Sequence, residues 1–249
     1  IIIEPAFRDT ASAIAYGSMM ISKYYENPTI CVLASDHLIS NPEEFRNVIK
    51  LAEAKADKNN IVTLGIKPTY PETGYGYIQM GEQVDENGMY KVHAFTEKPN
   101  LEVAKIFVES GDFLWNSGVF IWNLHSIESA LQQHMPEVAQ KFMQGADVMG
   151  TEQEDAFIQE MFPTCPSISI DYGVMEHAKN VCVMPSDFGW SDLGTWGSLY
   201  ELSEKDENQN VSNSSKVILN DAHNCIVNVP PRKNVIIQGV DQIIVAEKD

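Results

Sequence analysis

The chain has 249 residues, of which 44% are hydrophobic and 21% are charged, the proportions of a globular protein, so a disordered or fibrous chain is excluded. Lys and Arg number 17 against 35 Asp and Glu, giving a net charge of −18. Nucleic acid and anionic membranes attract basic patches, so neither is expected as a partner. The sequence contains neither a membrane-length apolar run nor a visible secretion signal, which predicts a cytoplasmic location.

The four cysteines are scattered and form no CxxC pair. Their spacing fits neither a zinc site nor a disulfide framework, so we expect reduced thiols. They are Cys31, Cys165, Cys182 and Cys225.

Short apolar runs alternate with amphipathic stretches, a pattern typical of βαβ units. The predicted strands of the first quarter are Ile1–Ile3, Ile30–Leu33 and Ile61–Ile66, and the predicted helices are Ala11–Tyr25 and a segment from Pro42 to about Ala56. The second helix has a defined start, because Asn41 can cap it and Pro42 suits its first position.

The middle of the chain predicts antiparallel as well as parallel pairing. Asn87-Gly88, between Tyr77–Met80 and Lys91–Phe95, is a hairpin signal. It is followed by a predicted helix at Leu101–Ser110 that ends at Gly111, a strand at Gly118–Trp122, and two or three helices in Ser126–Glu160 broken at Pro136.

The composition of the sequence changes after Tyr200. Glu201–Ser215 is polar, and short β runs follow at Val217–Leu219, Cys225–Val229, Val235–Ile237 and Ile243–Val245. The predicted fold is therefore α/β, with a mixed, mostly parallel sheet in residues 1–204 and a small all-β appendage in residues 205–249.

Polar clusters stand after several predicted strands, where open α/β sheets bind ligands. Neither GxGxxG nor a P-loop motif is present. The clusters are Glu4–Thr10, Ser35–His37, Gly74–Tyr77, Glu97–Pro99, Asn116–Gly118 and Trp190–Gly194. Taken singly, each also fits a helix cap or a turn.

Seven segments in a fixed order carry a stronger signal. They are EPAFRDTASAIA, VLASDHLI, ETGYGYI, FTEKPN, WNSGVFIW, SIDYGVMEHA and FGWSDLGTW. Together they resemble the sugar-nucleotide pyrophosphorylases, specifically the bacterial mannose-1-phosphate guanylyltransferases, over almost the whole chain. The resemblance implies a Rossmann-like nucleotidyltransferase domain that transfers GMP from GTP to mannose-1-phosphate, giving GDP-mannose and pyrophosphate. Its partners would be these two substrates, with a homodimer as a candidate assembly.

The chemistry of that family brings two polyanions together, which in so acidic a chain requires a divalent cation. Asp36 and Asp192 match the family's metal-binding aspartates, so Mg²⁺ is the expected cofactor and both are expected to be catalytic. The alternative for each is a helix cap. Lys98 matches a catalytic lysine on the sugar phosphate, and its alternative is a solvated surface lysine.

The sugar pocket implied by the resemblance uses Glu97 as an acceptor for sugar hydroxyls and Asn116 as both donor and acceptor. Gly74 and Gly76 would let backbone amides approach the sugar, or they form a tight turn. Asp171 would support the pocket from the first turn of a helix, or it caps that helix.

Glu4 could determine which nucleotide base is bound. Its carboxylate can accept hydrogen bonds from guanine N1–H and the guanine amine, whereas adenine N1 is itself an acceptor. It could instead cap the following helix. Arg8 either holds this loop or reaches a phosphate, and both interpretations stay open.

The chain departs from the family pattern in three ways. The family's first strand and glycine-rich, arginine-containing loop have no counterpart, Asp9 replaces an asparagine, and the β appendage is shorter than expected. We therefore expect a fragment of reduced activity. The alternatives are a non-catalytic sugar-nucleotide sensor or regulatory subunit, and a related transferase that uses another base or sugar.

Overall fold

The computed structural model describes residues 1–56, 59–86 and 88–247. Contacts group the chain into two compact units. The first contains Ile1–Ser35 and Ile39–Trp190, and the second contains Asp36–Leu38 and the chain from Ser191 onward. The domain boundary that the sequence predicts between residues 204 and 205 stays a prediction.

Seven α-helices lie in the described residues. They are α1 (Asp9–Ser22), α2 (Pro42–Ala56), α3 (Leu101–Ser110), α4 (Leu124–His134), α5 (Pro136–Gln144), α6 (Glu154–Met161) and α7 (Trp196–Leu202). A 3₁₀ turn at Phe162–Thr164 and a π-helical turn at Asp171–Met175 complete the helical segments.

Thirteen strands are formed by the described residues. They are β1 (Thr29–Val32), β2 (Leu38–Ile39), β3 (Ile61–Ile66), β4 (Tyr77–Gln83), β5 (Tyr90–Thr96), β6 (Phe113–Asn123), β7 (Val181–Ser186), β8 (Trp190–Ser191), β9 (Val211–Ser212), β10 (Val217–His223), β11 (Ile226–Asn228), β12 (Val235–Asp241) and β13 (Ile244–Ala246).

The main sheet has six strands in the order β1-β6-β3-β7-β5-β4, and β4 also pairs with β6. Four strands run in one direction, with β5 and β6 opposed to them, and β3 and β7 are parallel neighbours. The mixed α/β fold is thus confirmed. The long strand β6 contacts β1, β3 and β4, so residues along it can organise a site.

Both faces of the sheet are covered. Successive side chains of β3 point to opposite faces, and because most of them are apolar, both faces must be buried. Ile61 packs in the core beneath α1, α4, α5 and α6, whereas Val62 packs on the opposite side with Val48 and Ala52 of α2. A smaller cluster joins Ala104 of α3 to aromatic side chains of β4 and β6. The sheet is therefore held between two helical layers.

Capping residues and apolar runs in the sequence predicted most of the helices and strands. Asn41 Oδ1 accepts from Glu44 N at 3.1 Å, which confirms the predicted cap of α2. The predicted strand at Ile1–Ile3 is wrong, because no described strand pairs with it and its side chains are exposed; an apolar run without a hydrogen-bonded neighbour is not a strand. Strands β4 and β5 pair as the predicted hairpin requires, although Asn87 lies outside the described residues.

The second unit contains a parallel coil of short strands. Val217 pairs with Val235 and Ile226 with Ile244, a spacing of 18 residues in both cases. Strands β9, β11 and β13 form one sheet and β10 and β12 another, so successive turns of the chain stack on each other. The sequence predicted the β runs but not this stacking.

None of the helices in the described chain has both the length and the apolar composition needed to span a membrane.

Candidate sugar-phosphate site

The loop that contains Gly74 and Gly76 is fixed by the aromatic residue between them. The Tyr75 ring is buried and contacts Trp115 and Trp190, with ring centroids 5.2 and 5.3 Å away. Tyr75 O accepts from Lys98 N at 3.2 Å. Gly76 O accepts from Asn116 N at 2.8 Å. The structure therefore brings three of the sequence-predicted clusters to one place, at the start of β4, after the end of β5 and within β6.

Glu97 lies against the Gly76 backbone. Its side chain is 13% exposed, and Oε2 is buried with no hydrogen-bond partner among the described residues. A Cβ at Gly76 would collide with this oxygen and would lie 3.3 Å from Asn116 Cβ. Glycine at 76 therefore permits this close approach, and the carboxylate oxygen it admits is left without a donor.

The adjacent Lys98 supplies a cation. Its Nζ lies 3.7 Å from Glu97 Oε1, and the side chain is 62% exposed. Lys98 has a φ of 46°, a left-handed conformation that is uncommon outside glycine and asparagine. Such strain persists where surrounding contacts hold it, as the Lys98 N to Tyr75 O bond does here.

Burial raises the pKa of Glu97 to about 7, and the negative charge of Asp171 adds to the effect, while Lys98 opposes it. The pKa of Asp171 is also raised, chiefly by burial, with a contribution from Asp9; the hydrogen bond from Asn116 opposes the rise. Burial and the repulsion between carboxylates therefore disfavour the charged forms of Glu97 and Asp171, and Lys98 only partly offsets this.

Asn116 links β6 to the π-helical turn. Its Nδ2 donates to Asp171 Oδ1 at 2.9 Å, and its Oδ1 accepts from Gly118 N at 3.2 Å. Asp171 is the first residue of the turn, and its carboxylate accepts from a different element, so the side chain is joined to the predicted sugar residues. π-helical turns are frequent at functional sites.

The N-terminal residues precede α1 in the first unit. Glu4 is exposed in a segment without regular structure. Arg8 Nε donates to Pro163 O at 2.8 Å, Nη2 donates to the same oxygen, and Nη1 donates to Phe7 O. These bonds hold the loop before α1. Asp9, at the start of α1, has a φ of 63°.

The two predicted metal ligands belong to the second unit. Asp36 is exposed after β1, in a turn that precedes β2. Asp192 is half-buried after β8, and its Oδ1 accepts from Gly194 N at 3.0 Å. Within the ranges that the structure describes, no group of three or more His, Cys, Asp or Glu side chains could hold a metal ion.

Sequence reasoning missed Thr63, whose hydroxyl lies 3.3 Å from Asn116 Oδ1 and 3.1 Å from Val119 O. It is fully buried in β3. The signal was present as one polar residue inside the apolar run Ile61–Ile66. Its partners, however, lie 53 and 56 positions away, and only the pairing of β3 with β6 reveals them.

Comparisons with known proteins give the family of this chain. Residues 1–209 match the family model described as nucleotidyl transferase. The chain is 38% identical over 264 residues to a mannose-1-phosphate guanylyltransferase of Salmonella typhimurium, covering 100% of this chain and 54% of that protein. It is 37% identical over 254 residues to a protein of the same name from Klebsiella pneumoniae, covering 100% of this chain and 53% of that protein. The chain thus spans about half the length of the curated relatives it matches.

A solved structure agrees with this result. The fold superposes on a crystal structure described as mannose-1-phosphate geranyltransferase from Thermus thermophilus with a TM-score of 0.87 and 31% identity. The match covers 100% of this chain and 71% of that one. Sequence and fold therefore agree, and the chain belongs to the nucleotidyl transferase family.

Proposed function

We propose that this protein transfers GMP from GTP to mannose-1-phosphate, releasing pyrophosphate and forming GDP-mannose. Family membership and the names of the relatives support the reaction class and the sugar. The observation that carries the proposal is the buried, unpartnered oxygen of Glu97 beside Lys98 and Asn116. A group of side chains that offers a carboxylate acceptor, an amide and a cation matches a sugar that carries hydroxyls and a phosphate.

In this proposal Glu97 Oε2 accepts hydrogen bonds from the sugar hydroxyls. Asn116 donates to the sugar through the amide group that also holds Asp171. Lys98 binds the phosphate as a flexible point charge, and its exposure is consistent with a group that meets an incoming anion. The backbone at Gly74 and Gly76 borders the sugar.

Glu4 reads the guanine in this proposal, because its carboxylate complements the N1–H and the amine of that base. Arg8 keeps its two alternatives. Its bonds to Phe7 O and Pro163 O support the loop-holding role, while a guanidinium has five N–H groups and these bonds do not use them all.

We propose Asp36 and Asp192 as the residues that hold Mg²⁺. The donor set fits the ion, because Mg²⁺ sites in phosphoryl transfer use one or two carboxylates and complete the shell with water and substrate phosphates. When bound, the ion would neutralise charge on the phosphates. A sugar-phosphate oxygen attacks the α-phosphorus and the bond to pyrophosphate breaks. The nucleophile is already ionised, so no protein base is needed.

The test combines binding with turnover. Calorimetry should detect mannose-1-phosphate binding, and a pyrophosphate-release assay with Mg²⁺ should show a preference for GTP over ATP, UTP and dTTP. Replacing Lys98 by Gln should weaken mannose-1-phosphate binding by about 10- to 100-fold, the range expected for a charged hydrogen bond. Lys105→Gln, an exposed change on α3, is the matched control and should have no effect.

Three outcomes separate the alternatives. Sugar-phosphate binding without pyrophosphate release at any Mg²⁺ concentration would favour a sensor over an enzyme. A preference for UTP would remove Glu4 from its proposed role. Wild-type protein that binds neither mannose-1-phosphate nor GDP-mannose would refute the proposal altogether.

A further inference from the structure

Thr63 is a buried polar residue that the proposed chemistry does not use. Its neighbours Ile61, Val62 and Leu64 in β3 are buried apolar residues, and Thr63 itself is fully buried. Burying a hydroxyl is costly unless it is hydrogen-bonded, and valine would fill the same volume without that cost. The hydroxyl is therefore the feature that needs an explanation.

A bulge in β6 brings two acceptors to this hydroxyl. Thr63 pairs with Phe120 and Gly65 pairs with Asn116, so β6 contributes two extra residues between these pairs. Gly118, within the bulge, has a φ of 69°. Its backbone geometry leaves Val119 O at 3.1 Å and Asn116 Oδ1 at 3.3 Å from Thr63 Oγ1.

The other buried hydroxyl of this region, Ser117, supports the bulge itself. Ser117 Oγ donates to Leu64 O at 2.7 Å and accepts from Val119 N at 3.3 Å. Backbone groups that the bulge removes from the sheet ladder are thus satisfied by serine. Thr63, in contrast, reaches a side chain of the candidate site.

The orientation of the Asn116 amide follows from its partners. Gly118 N–H must face an acceptor, which fixes Oδ1 on that side, and Nδ2 then faces the Asp171 carboxylate. The bond to Asp171 uses one of the two Nδ2 protons. The second N–H can donate a hydrogen bond to a ligand.

We propose that Thr63 is a positioning residue for sugar recognition: its one hydroxyl proton is shared between Val119 O and Asn116 Oδ1, and the bond to Oδ1 holds the amide so that one N–H faces the sugar of the sugar-1-phosphate. This inference rests on the proposed function for the identity of the ligand. Thr63 touches no reacting atom and acts through Asn116.

The test uses Thr63→Val, which keeps the shape and removes the hydroxyl, and Thr63→Ser, which keeps the hydroxyl. The valine variant should bind mannose-1-phosphate about 2- to 10-fold more weakly, as expected for one neutral hydrogen bond, with GTP affinity unchanged. The serine variant should bind like wild type. In an Asn116→Ala background, Thr63→Val should cause no further loss, because the two residues act as one unit.

Three results would overturn the inference. If Thr63→Val leaves sugar-phosphate affinity unchanged, the hydroxyl serves only Val119 O. If it weakens mannose-1-phosphate and GTP binding equally, or weakens sugar-phosphate binding further in the Asn116→Ala background, its role is structural support of the bulge.

A second readout does not depend on the ligand. The side-chain amide signals of Asn116 in ¹H–¹⁵N NMR spectra should shift and exchange faster with solvent in Thr63→Val but not in Thr63→Ser. If wild type binds no sugar phosphate, the proposed function fails while this NMR result still decides whether Thr63 positions Asn116. Unchanged Asn116 signals in the valine variant would refute the positioning role in either case.

Discussion

At the scale of single residues, Glu97 is a candidate site residue whose burial lowers the stability of the fold. Burial and the neighbouring Asp171 disfavour its charged form, and the nearby Lys98 only partly offsets them. A buried polar atom without a partner is rare in a settled core, whereas a ligand can supply the missing donor. The unpartnered oxygen is therefore consistent with the ligand-binding role proposed for Glu97.

This cost predicts a pH dependence of stability. An unfolded glutamate titrates near its ordinary pKa of 4.5, whereas Glu97 in the folded protein has a pKa of about 7. Between these values the folded protein keeps a proton that the unfolded chain releases. The stability that this proton contributes is fully present below pH 4.5 and is lost as the pH rises through 7.

The variant Glu97→Gln removes this titration. Between about pH 5 and pH 8, wild type should lose on the order of 1–2 kcal/mol more unfolding free energy than the variant, with allowance for solvent screening. Urea denaturation at the two pH values measures the difference. Glu109→Gln, an exposed change on α3, is the control and should follow wild type. Parallel pH curves for wild type and Glu97→Gln would contradict the prediction.

Gly76 gives a second prediction at this scale. A methyl group in Gly76→Ala would collide with Glu97 Oε2, the end of a side chain that can move away, so ligand binding should suffer more than the fold. We expect mannose-1-phosphate affinity to fall by about tenfold, as when a charged hydrogen bond is lost, with little change in thermal stability. Calorimetry on Gly76→Ala and on Gly17→Ala, whose added methyl meets nothing within 4 Å, checks this. Equal affinities of the two variants would show that Glu97 does not bind the sugar phosphate.

At the scale of elements, the helices differ in how well their ends are specified. Asn100 Oδ1 accepts from Val103 N at 3.0 Å at the start of α3, and Gly111 at its end has a φ of 77°. Helix α1 starts differently, since its N-cap Arg8 makes no side-chain capping bond. Instead, Thr10 Oγ1 accepts from Ile170 N at 2.9 Å, a tertiary contact.

Two glycines allow a matched test of backbone conformation. Neither Gly17, inside α1, nor Gly111, after α3, would bring an added methyl within 4 Å of another group. Gly17→Ala should raise the free energy of unfolding by about 0.5–1 kcal/mol, because alanine has the better helix propensity. Gly111→Ala should lower it by about 1 kcal/mol, because its left-handed φ disfavours a side chain. Thermal unfolding of both variants tests this, and changes of the same sign would refute the explanation.

The accuracy of the sequence predictions follows from the range of the interactions involved. The bounds of α3 and β3 were predicted correctly because caps, turn residues and apolar runs act locally. The predicted strand at Gly118–Trp122 is only part of β6, since pairing with β4 extends the strand back to Phe113. The joining of Glu97, Asn116 and Asp171 could be expected only from the resemblance. The lack of a partner for Glu97 Oε2 and the contact between Thr63 and Asn116 depend on tertiary packing. No local sequence pattern predicts them.

At the scale of the whole molecule, the two units have cores of different construction. The core of the second unit contains Ala222, Cys225 and Val227, and it also contains the fully enclosed amide of Asn210. Asn210 Nδ2 donates to Ala222 O at 2.8 Å, and Oδ1 accepts from Cys225 N at 3.0 Å. This one side chain satisfies backbone groups on both sides of the turn between β10 and β11.

Replacing Asn210 by Ala should therefore destabilise the second unit by about 2–3 kcal/mol, because buried backbone groups lose their partners. Hydrogen exchange should show faster exchange at the Cys225 and Ile226 amides, with no change in β3 and β7. Asn208→Ala, an exposed change in the same segment, is the control. Equal loss of protection in β3 would mean that the two units unfold together. The predicted homodimer and cytoplasmic location stay predictions at this scale.

The parallel coil has a consequence for how such a chain can evolve. Because the β10–β12 and β11–β13 pairings both repeat after 18 residues, a duplication of that length in this part of the coil keeps inward side chains inward. Inserting one residue inside a strand would turn the apolar side chains in the rest of that strand toward solvent. Length variation among descendants of this gene should therefore be tolerated at the corners of the coil, or in whole rungs, and be purged elsewhere.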